Sequence, residues 1–270
     1  MRLASWNVNS IRARIDRVIA FLERADVDVL AMQEIKCRPD QFPAERFAEA
    51  GYEVACHGLH QFNGVAIASR VGLADVADSF PDQPAFGKPG DERVVEARAL
   101  GATCGGVRVW SIYVPNGRAL DDPHFEYKLK FLRALARASE TWAPGAPTAL
   151  VGDWNVAPLD TDIWSLDAPE AATHVAAEAR DALAAIERAG FVELSRRFLP
   201  EPNTYTFWDY QQLRFPRGEG MRIDFAFASP ALASRARAAV IDRAERKGAG
   251  ASDHAPVVVD FDDAPGSVGP

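Results

Sequence analysis

The sequence predicts an α/β protein built on mixed β-sheet, and three observations carry that prediction. The chain opens strand, helix, strand. Short apolar runs then keep alternating with amphipathic stretches, and two neighbouring runs, 94–100 and 107–114, alternate apolar with polar as antiparallel strands with one wet face do. Residues 3–7 form the first apolar strand. Ser10 is placed to cap the following helix, in which Ile11, Ile15, Val18, Ile19 and Leu22 recur at helical spacing. Val29-Leu30-Ala31-Met32 is a compact apolar strand ending in Gln33-Glu34, which completes a β-α-β unit. Residues 64–69 make another strand. Phe125, Leu129, Leu132 and Leu135 place an amphipathic helix over 124–142, stopped by Pro144-Gly145. A strand at 148–152, a helix near 178–189 and strands at 221–228 and 256–261 complete the pattern. No Gly/Ser-rich or Pro-rich linker divides the chain, so residues 1–262 are expected to fold as one domain, with 263–270 as a disordered tail.

Composition sets limits on function. With 48% hydrophobic and 10% aromatic residues among 270, the chain can bury a full core, which excludes disordered, collagen-like and mini-protein classes. Its net charge of −8 means that bulk charge cannot hold it to nucleic acid; any such binding needs a local basic face. The N-terminal segment has no basic stretch leading into an apolar one, no apolar run approaches about eighteen residues, and the mean hydropathy is −0.15, so a soluble cytoplasmic protein is expected. Cys37, Cys56 and Cys104 are odd in number and widely spaced, the pattern of reduced thiols rather than of a disulfide framework or a metal clip.

Polar residues collect where apolar runs stop. Asn7, Glu34, Tyr113, Asp153, Asn155, Asp224 and His254 are each expected at or just after the carboxyl end of a strand, where ligands gather in open α/β sheets. Glu34 ends an apolar strand, a costly place for a carboxylate unless it is solvated, paired or bound to a cation, and a hard divalent ion such as Mg²⁺ suits it. Asp153 and Asn155 follow Leu150-Val151-Gly152, and alternation puts both on one face, although an Asx turn accounts for either alone. Ser252-Asp253-His254-Ala255-Pro256 sets a carboxylate and an imidazole at a strand entrance, and Asp224 is available to orient the imidazole. A Ser-hydrolase elbow and zinc-type histidine spacing are both absent. Ser5-Trp6-Asn7-Val8 is echoed by Asp153-Trp154-Asn155-Val156. Arg12, Arg14, Arg17, Lys36, Arg38, Arg118, Arg214, Arg217 and Arg222 are candidates for a basic face, or for ordinary solvated surface. The interleaved rings of Tyr205-Thr206-Phe207-Trp208-Asp209-Tyr210 suit stacking on bases or sugars, with half of them expected in the core.

Six segments taken in order resemble the exonuclease III family of DNA repair nucleases, within the wider endonuclease/exonuclease/phosphatase superfamily. They are Ser5-Trp6-Asn7-Val8-Asn9, Leu30-Ala31-Met32-Gln33-Glu34-Ile35-Lys36, Tyr113-Val114-Pro115-Asn116-Gly117, Gly152-Asp153-Trp154-Asn155-Val156-Ala157-Pro158, Arg222-Ile223-Asp224 and Ser252-Asp253-His254-Ala255-Pro256. Ile35 and Asn9 depart from the commoner Thr and Asp of relatives. The resemblance spans the chain to Phe261 and implies a four-layer α/β sandwich, two mixed β-sheets packed face to face with helices outside. It also implies Mg²⁺-dependent hydrolysis of DNA phosphodiesters, with Mn²⁺ as a substitute: cleavage 5′ to abasic sites, 3′ to 5′ exonuclease action on duplex DNA, and trimming of blocked 3′ ends. On that basis Tyr113, Asp153, Asn155, Asp224 and His254 are expected to be catalytic and Asn7, Glu34 and Asp253 to serve the metal. Lys36, Asn116, Arg118, Phe207, Trp208, Met221 and Arg222 are expected to meet double-stranded DNA. The implied protein is a monomer with no membrane partner, cytoplasmic and nucleoid-associated in a bacterium. Two rivals stand beside it. A non-DNA phosphoesterase of the same fold would carry a second histidine where this chain has Tyr113-Val114-Pro115-Asn116, and a catalytically silent nucleic-acid-binding protein would be expected to lose some of the polar set.

Overall fold

The computed structural model describes residues 1–87 and 90–263; the expected tail lies almost wholly outside them. Among the described residues twelve strands form two sheets of six. Strands β1 (Arg2–Asn7), β2 (Val29–Gln33), β3 (Glu53–His57) and β4 (Val65–Ser69) belong to the first sheet, and β5 (Ala74–Ala77), β6 (Ala99–Cys104), β7 (Val107–Tyr113) and β8 (Thr148–Asp153) to the second. Of the rest, β9 (Val192–Glu193) and β10 (Asp224–Ala228) join the second sheet, while β11 (Ala236–Ile241) and β12 (Val257–Phe261) join the first. The orders are β11-β12-β1-β2-β4-β3 and β5-β6-β7-β8-β10-β9. The pairs β1/β2 and β7/β8 are parallel and the others antiparallel, so both sheets are mixed.

Alternation along the strands builds the layers. Leu3, Val29, Ala31, Val65, Ile67 and Val259 of the first sheet face Leu100, Ala102, Val107, Val109, Ala149, Val151 and Ala226 of the second, forming a central apolar layer. The intervening residues point outward. Ala4, Trp6, Leu30, Met32, Ala66 and Ala68 pack under helices α1 (Ile11–Ala25) and α2 (Ala44–Glu49). On the other side Trp110, Ile112, Leu150, Phe225 and Phe227 pack under α3 (Pro123–Trp142), with α4 (Ala172–Val175) leading into α5 (Ala177–Arg188), which packs there too. The result is the expected helix-sheet-sheet-helix sandwich. No described helix is long and apolar enough to cross a membrane, and all three cysteines are free.

Differences from expectation have local causes. The four strands that the sequence pattern misses, β3, β5, β9 and β11, are the four sheet edges, where few residues are fully buried and the apolar signal is weak. The 94–100 run is not one strand. Val94 only bridges Phe86, and the Arg98 N–H turns back to the Glu96 carbonyl at 2.8 Å before β6 begins. Met221 likewise makes isolated bridges and the strand begins at Asp224. Ser10 stands at the start of α1 with φ 86° and no side-chain cap; the helix start is pinned instead by Ser10 N–H to Glu34 O (2.7 Å) and Ile11 N–H to Ile35 O (3.2 Å).

Near one end of the central layer the packing turns polar. Gln33, fully buried on β2, donates through Nε2 to Ser111 Oγ on β7 at 2.9 Å, and Ser111 in turn donates to the Met32 carbonyl at 2.9 Å, so this pair stitches the two sheets together. Ser5 lies against Gln33 in the same layer. Ser111→Ala would leave the Gln33 amide short of its closest partner in a dry seam, a loss of about 1–3 kcal/mol; urea unfolding should show it as a lower midpoint with an unchanged m-value.

Candidate active site

Two residues beyond that polar layer, the inward rows of both sheets end in functional groups. Asn7 continues the row of Leu3 and Ser5, Tyr113 that of Val109 and Ser111, and Asp153 that of Ala149 and Val151. Asp224 and His254 correct the expectation. They stand at the amino-terminal entrances of β10 and β12, and because those strands run antiparallel to β8 and β1 they arrive at the same edge. Register puts Asp224 directly opposite Asp153, and Tyr113 opposite Asp153 on its other side. Gly152 allows β8 to lie this close to β7, since a Cβ there would sit 1.8 Å from the Ile112 carbonyl oxygen.

The two facing carboxylates are buried and share one imidazole. His254 Nδ1 lies 2.8 Å from Asp224 Oδ2, and its Nε2 lies 3.8 Å from Asp153 Oδ2. Burial opposes charge on the imidazole, but Asp224 and Asp153 outweigh it and raise its pKa. Asp153 is driven upward by burial, with His254 opposing. Asn7 Nδ2 spans the acids, donating to Glu34 Oε1 at 2.9 Å and to Asp153 Oδ2 at 3.0 Å. Burial pushes Glu34 up, yet the Lys36 ammonium at 2.8 Å and the Asn7 amide bring it below its ordinary value. Tyr113 is raised well above the usual phenol range by burial and by the Glu34 charge. Ligand atoms of Glu34, Asp153 and His254 lie within 4.8 Å of one another.

Loop geometry completes the edge. Asn9, Glu34, Lys36, Arg118 and Asn155 all adopt positive φ, between 44° and 59°, a concentration of costly backbone of the kind found at functional sites. Asp153 and Asn155 converge through an Asx turn, Asn155 N–H to Asp153 Oδ1 at 3.0 Å, so the local motif and the shared placement coexist. The Asn155 amide donates to the Val114 carbonyl at 2.9 Å and accepts from Asn116 at 3.3 Å. Phe207 is half-buried, its ring 4.9 Å from the His254 ring, with Met221 buried behind it. Asn116 and Arg118 are exposed at the rim.

Other expected contacts are not brought to the cleft. Trp208 is 1% exposed, packed with Tyr205 and Ala255, and belongs to the core. Arg222 is fully buried and donates to the Leu199 carbonyl; it lies before β10 begins, where its main-chain N–H is held by the Asp162 carbonyl at 2.8 Å. Asp253 lies outside the acidic cluster; its Oδ1 is taken by the Asn9 amide at 3.0 Å. Several basic residues are committed internally: Lys36 to Glu34, Arg17 to Glu245, Arg214 to Glu170 and Glu219. Conversely, three residues that sequence reasoning passed over organise the site. Thr206 Oγ1 accepts the Ile223 and Asp224 N–H groups at 3.1 Å each. Lys128, fully buried on α3, donates to the carbonyls of Asn116, Asn155 and Thr173 at 3.1, 2.6 and 2.7 Å. His174 Nδ1 reaches the same Asn155 carbonyl at 2.7 Å while its Nε2 meets the Asn116 amide at 3.3 Å. A signal existed for Lys128, three residues after Phe125 and four before Leu132 on the apolar stripe.

A two-sheet sandwich ending in a buried Asp-His-Asp constellation beside a Glu and an Asn defines a class of phosphoester hydrolases. The endonuclease/exonuclease/phosphatase family model matches residues 4–254, and the chain belongs to that family, in its exonuclease III branch; it is a hydrolytic nuclease. An exodeoxyribonuclease III from Haemophilus influenzae is 29% identical over 272 residues, covering 97% of this chain and all of that one. An AP endonuclease from Archaeoglobus fulgidus is 35% identical with TM-score 0.88, over 97% of this chain and 100% of its own. A 3′ phosphatase from Neisseria, solved with a product DNA hairpin, is 33% identical with TM-score 0.89, over 97% and 99%.

The His174 contacts require a neutral ring, its Nδ1 donating and its Nε2 accepting. Burial, then the Lys128 charge, lowers its pKa from 6.5 to about 3. A depressed folded-state value stabilises the fold above the unfolded value and withdraws that stability as pH falls. Between neutrality and about pH 5, His174 should therefore cost about 2 kcal/mol of unfolding free energy. In His174→Gln, denaturation midpoints across that range should lose this part of the slope.

Proposed function

We propose that the chain is a Mg²⁺-dependent DNA repair phosphodiesterase that cleaves 5′ to abasic sites, degrades duplex DNA from 3′ ends and trims blocked 3′ termini by in-line attack of water. The observation that carries this reading is the buried set Glu34, Asp153, His254 and Asp224, two carboxylates and an imidazole-carboxylate pair converging at one edge. The donor chemistry fits a hard divalent cation: Glu34 is held below its ordinary pKa and opens toward the cleft, 18% of its side chain exposed, with Asp153 beside it. Glu34 would hold Mg²⁺, or Mn²⁺ in its place, with the Asn7 amide fixing its distance from Asp153. The bound ion supplies charge for the phosphate oxygens.

The chain's own groups carry the remaining work. Burial raises the proton affinity of Asp153, which suits a group that accepts a proton from water as its oxygen attacks phosphorus. The bond from phosphorus to the 3′ oxygen breaks and the charge developing on the non-bridging oxygens needs donors already in place. The His254 imidazole, held by Asp224, supplies one, and Asn155 and the Tyr113 hydroxyl supply others. Asn116 and Arg118 meet the backbone at the rim, and the half-buried Phe207 ring, 4.9 Å from that of His254 and backed by Met221, is the apolar surface against which a sugar without its base rests. These three reactions break the same bond to a 3′ oxygen and differ only in what the phosphorus retains: a strand starting with the abasic sugar, one nucleoside, or nothing beyond the phosphate itself. A monomer leaves this edge open to duplex DNA, and a cytoplasmic, nucleoid-associated location follows from that substrate.

A labelled duplex holding one abasic site, a recessed-end duplex and a 3′-phosphate end, each with Mg²⁺ or chelator, ranks the activities; cleavage of none of them would refute the reading. Asp153→Asn keeps size but loses basicity, so single-turnover cleavage should fall by about two to four powers of ten, while DNA affinity measured in Ca²⁺ stays within a few fold. Parallel loss of both would make Asp153 an organiser of the site. Glu34→Gln removes one charge and keeps the shape, and the Mg²⁺ concentration for half-maximal cleavage should rise; normal cleavage at limiting Mg²⁺ would remove Glu34 as the ligand.

A further inference from the structure

Tyr113 is gripped by a residue outside the acidic cluster. Arg98, the residue before β6, is 4% exposed, and its carbonyl accepts the Tyr113 N–H at 2.8 Å. Its guanidinium carbon stands over the Tyr113 ring, 4.9 Å from the centroid, and 5.9 Å from that of Tyr127. The side chain has little freedom, because Nε donates to Glu96 Oε2 at 2.6 Å. Glu96 is itself held by the Asn63 amide at 3.2 Å and by Gln83 Nε2 on its carbonyl at 3.0 Å. Arg98 Nη1 is buried without a hydrogen-bond partner among the described residues. A buried cation with an unsatisfied N–H is an expensive feature, and a fold that needed only to fill this space would place an apolar side chain there.

We propose that Arg98 is a positioning residue for Tyr113: its guanidinium, anchored by Glu96, lies over the ring and fixes where the hydroxyl stands in the cleft. This rests on the reading of Tyr113 as a donor to the phosphate. A planar cation on a desolvated aromatic face restrains the ring far more than van der Waals contact alone. With the main chain of Tyr113 tied to Arg98 as well, backbone and ring are set by one residue. The hydroxyl is then preorganised for charge that develops only in the transition state, so the effect belongs in the chemical step and not in DNA binding.

The test is a double-mutant cycle on the full chain, with single-turnover cleavage in Mg²⁺ and DNA affinity in Ca²⁺ measured on folded protein. Arg98→Met, which keeps bulk and loses charge, should slow cleavage about 10- to 30-fold, the scale on which small misplacement of a reacting group is felt, with affinity within threefold of wild type. In a Tyr113→Phe background the same substitution should cost less than threefold more, because the hydroxyl it positions is gone. A cleavage rate within threefold of wild type for Arg98→Met, a loss of affinity matching the loss of rate, or a further loss of threefold or more in the Tyr113→Phe background would each overturn the proposal. If Arg98→Met does not fold, Arg98→Lys enters the same cycle; it keeps the cation without the planar stack, and its smaller deficit should vanish in Tyr113→Phe on the same criterion. Tyr113→Phe cleaving at the wild-type rate would refute the reading of Tyr113 itself and the proposal with it, whereas an impaired Tyr113→Phe with an additive Arg98 effect would refute the proposal alone.

Discussion

A single imidazole placed between two facing buried carboxylates governs the organisation of this protein. The register of β8 and β10 sets Asp153 and Asp224 opposite each other, an arrangement that repels when both are charged. His254 relieves it from a third strand entrance, in the other sheet, so electrostatic balance at the edge depends on both sheets being correctly stacked. Each neighbouring contact serves that arrangement. Thr206 satisfies the backbone N–H of Asp224, Asn7 ties Asp153 to Glu34, and the Trp6 indole donates to the His254 carbonyl at 3.0 Å.

The rest of the sandwich can be seen as a gradient ending at this point. Along the space between the sheets, the facing side chains pass from Val, Leu and Ala through the Ser5-Gln33-Ser111 layer to the acids. Apolar packing alone would let two sheets slide, since it has no direction; the directional bonds of the middle layer define one alignment. Below the loops, the Lys128 amino group donates to three carbonyls from three separate segments, so the turns after β7 and β8 and the first turn of α4 are positioned by one side chain. A net charge of −8 works against approach of a polyanion, and Arg118 stands with an exposed guanidinium at the rim of this edge.

Much of this was legible in the chain itself. Apolar strands that stop at Asn7, Glu34, Tyr113 and Asp153 mark the edge, and the Asp-His step before Pro256 marks its counterpart. The echo between Ser5-Trp6-Asn7 and Asp153-Trp154-Asn155 has a structural basis. Both tryptophans are buried under the outer helices, and each donates its indole N–H to a carbonyl at the edge, Trp6 to His254 and Trp154 to Phe225. What escaped reading falls into two kinds. Edge strands leave a faint apolar pattern because water covers much of them. Residue type also misleads where a charged or aromatic side chain serves the interior: Arg222, Trp208, Arg98 and Lys128 are buried, and each meets a carbonyl or ring from another segment. Periodicity reports which face a residue occupies, but not which distant carbonyl or ring awaits it.

Strand β1 lies between β2 and β12, the second and the last strands in chain order. During synthesis the first sheet therefore waits, with one edge of its central strand open, until β12 emerges, at roughly 5–20 residues per second. His254 arrives only just ahead of β12, so no shorter nascent chain holds the imidazole between its two acids. A nucleic-acid hydrolase made beside messenger RNA thus gains its working edge only after β12 has been made.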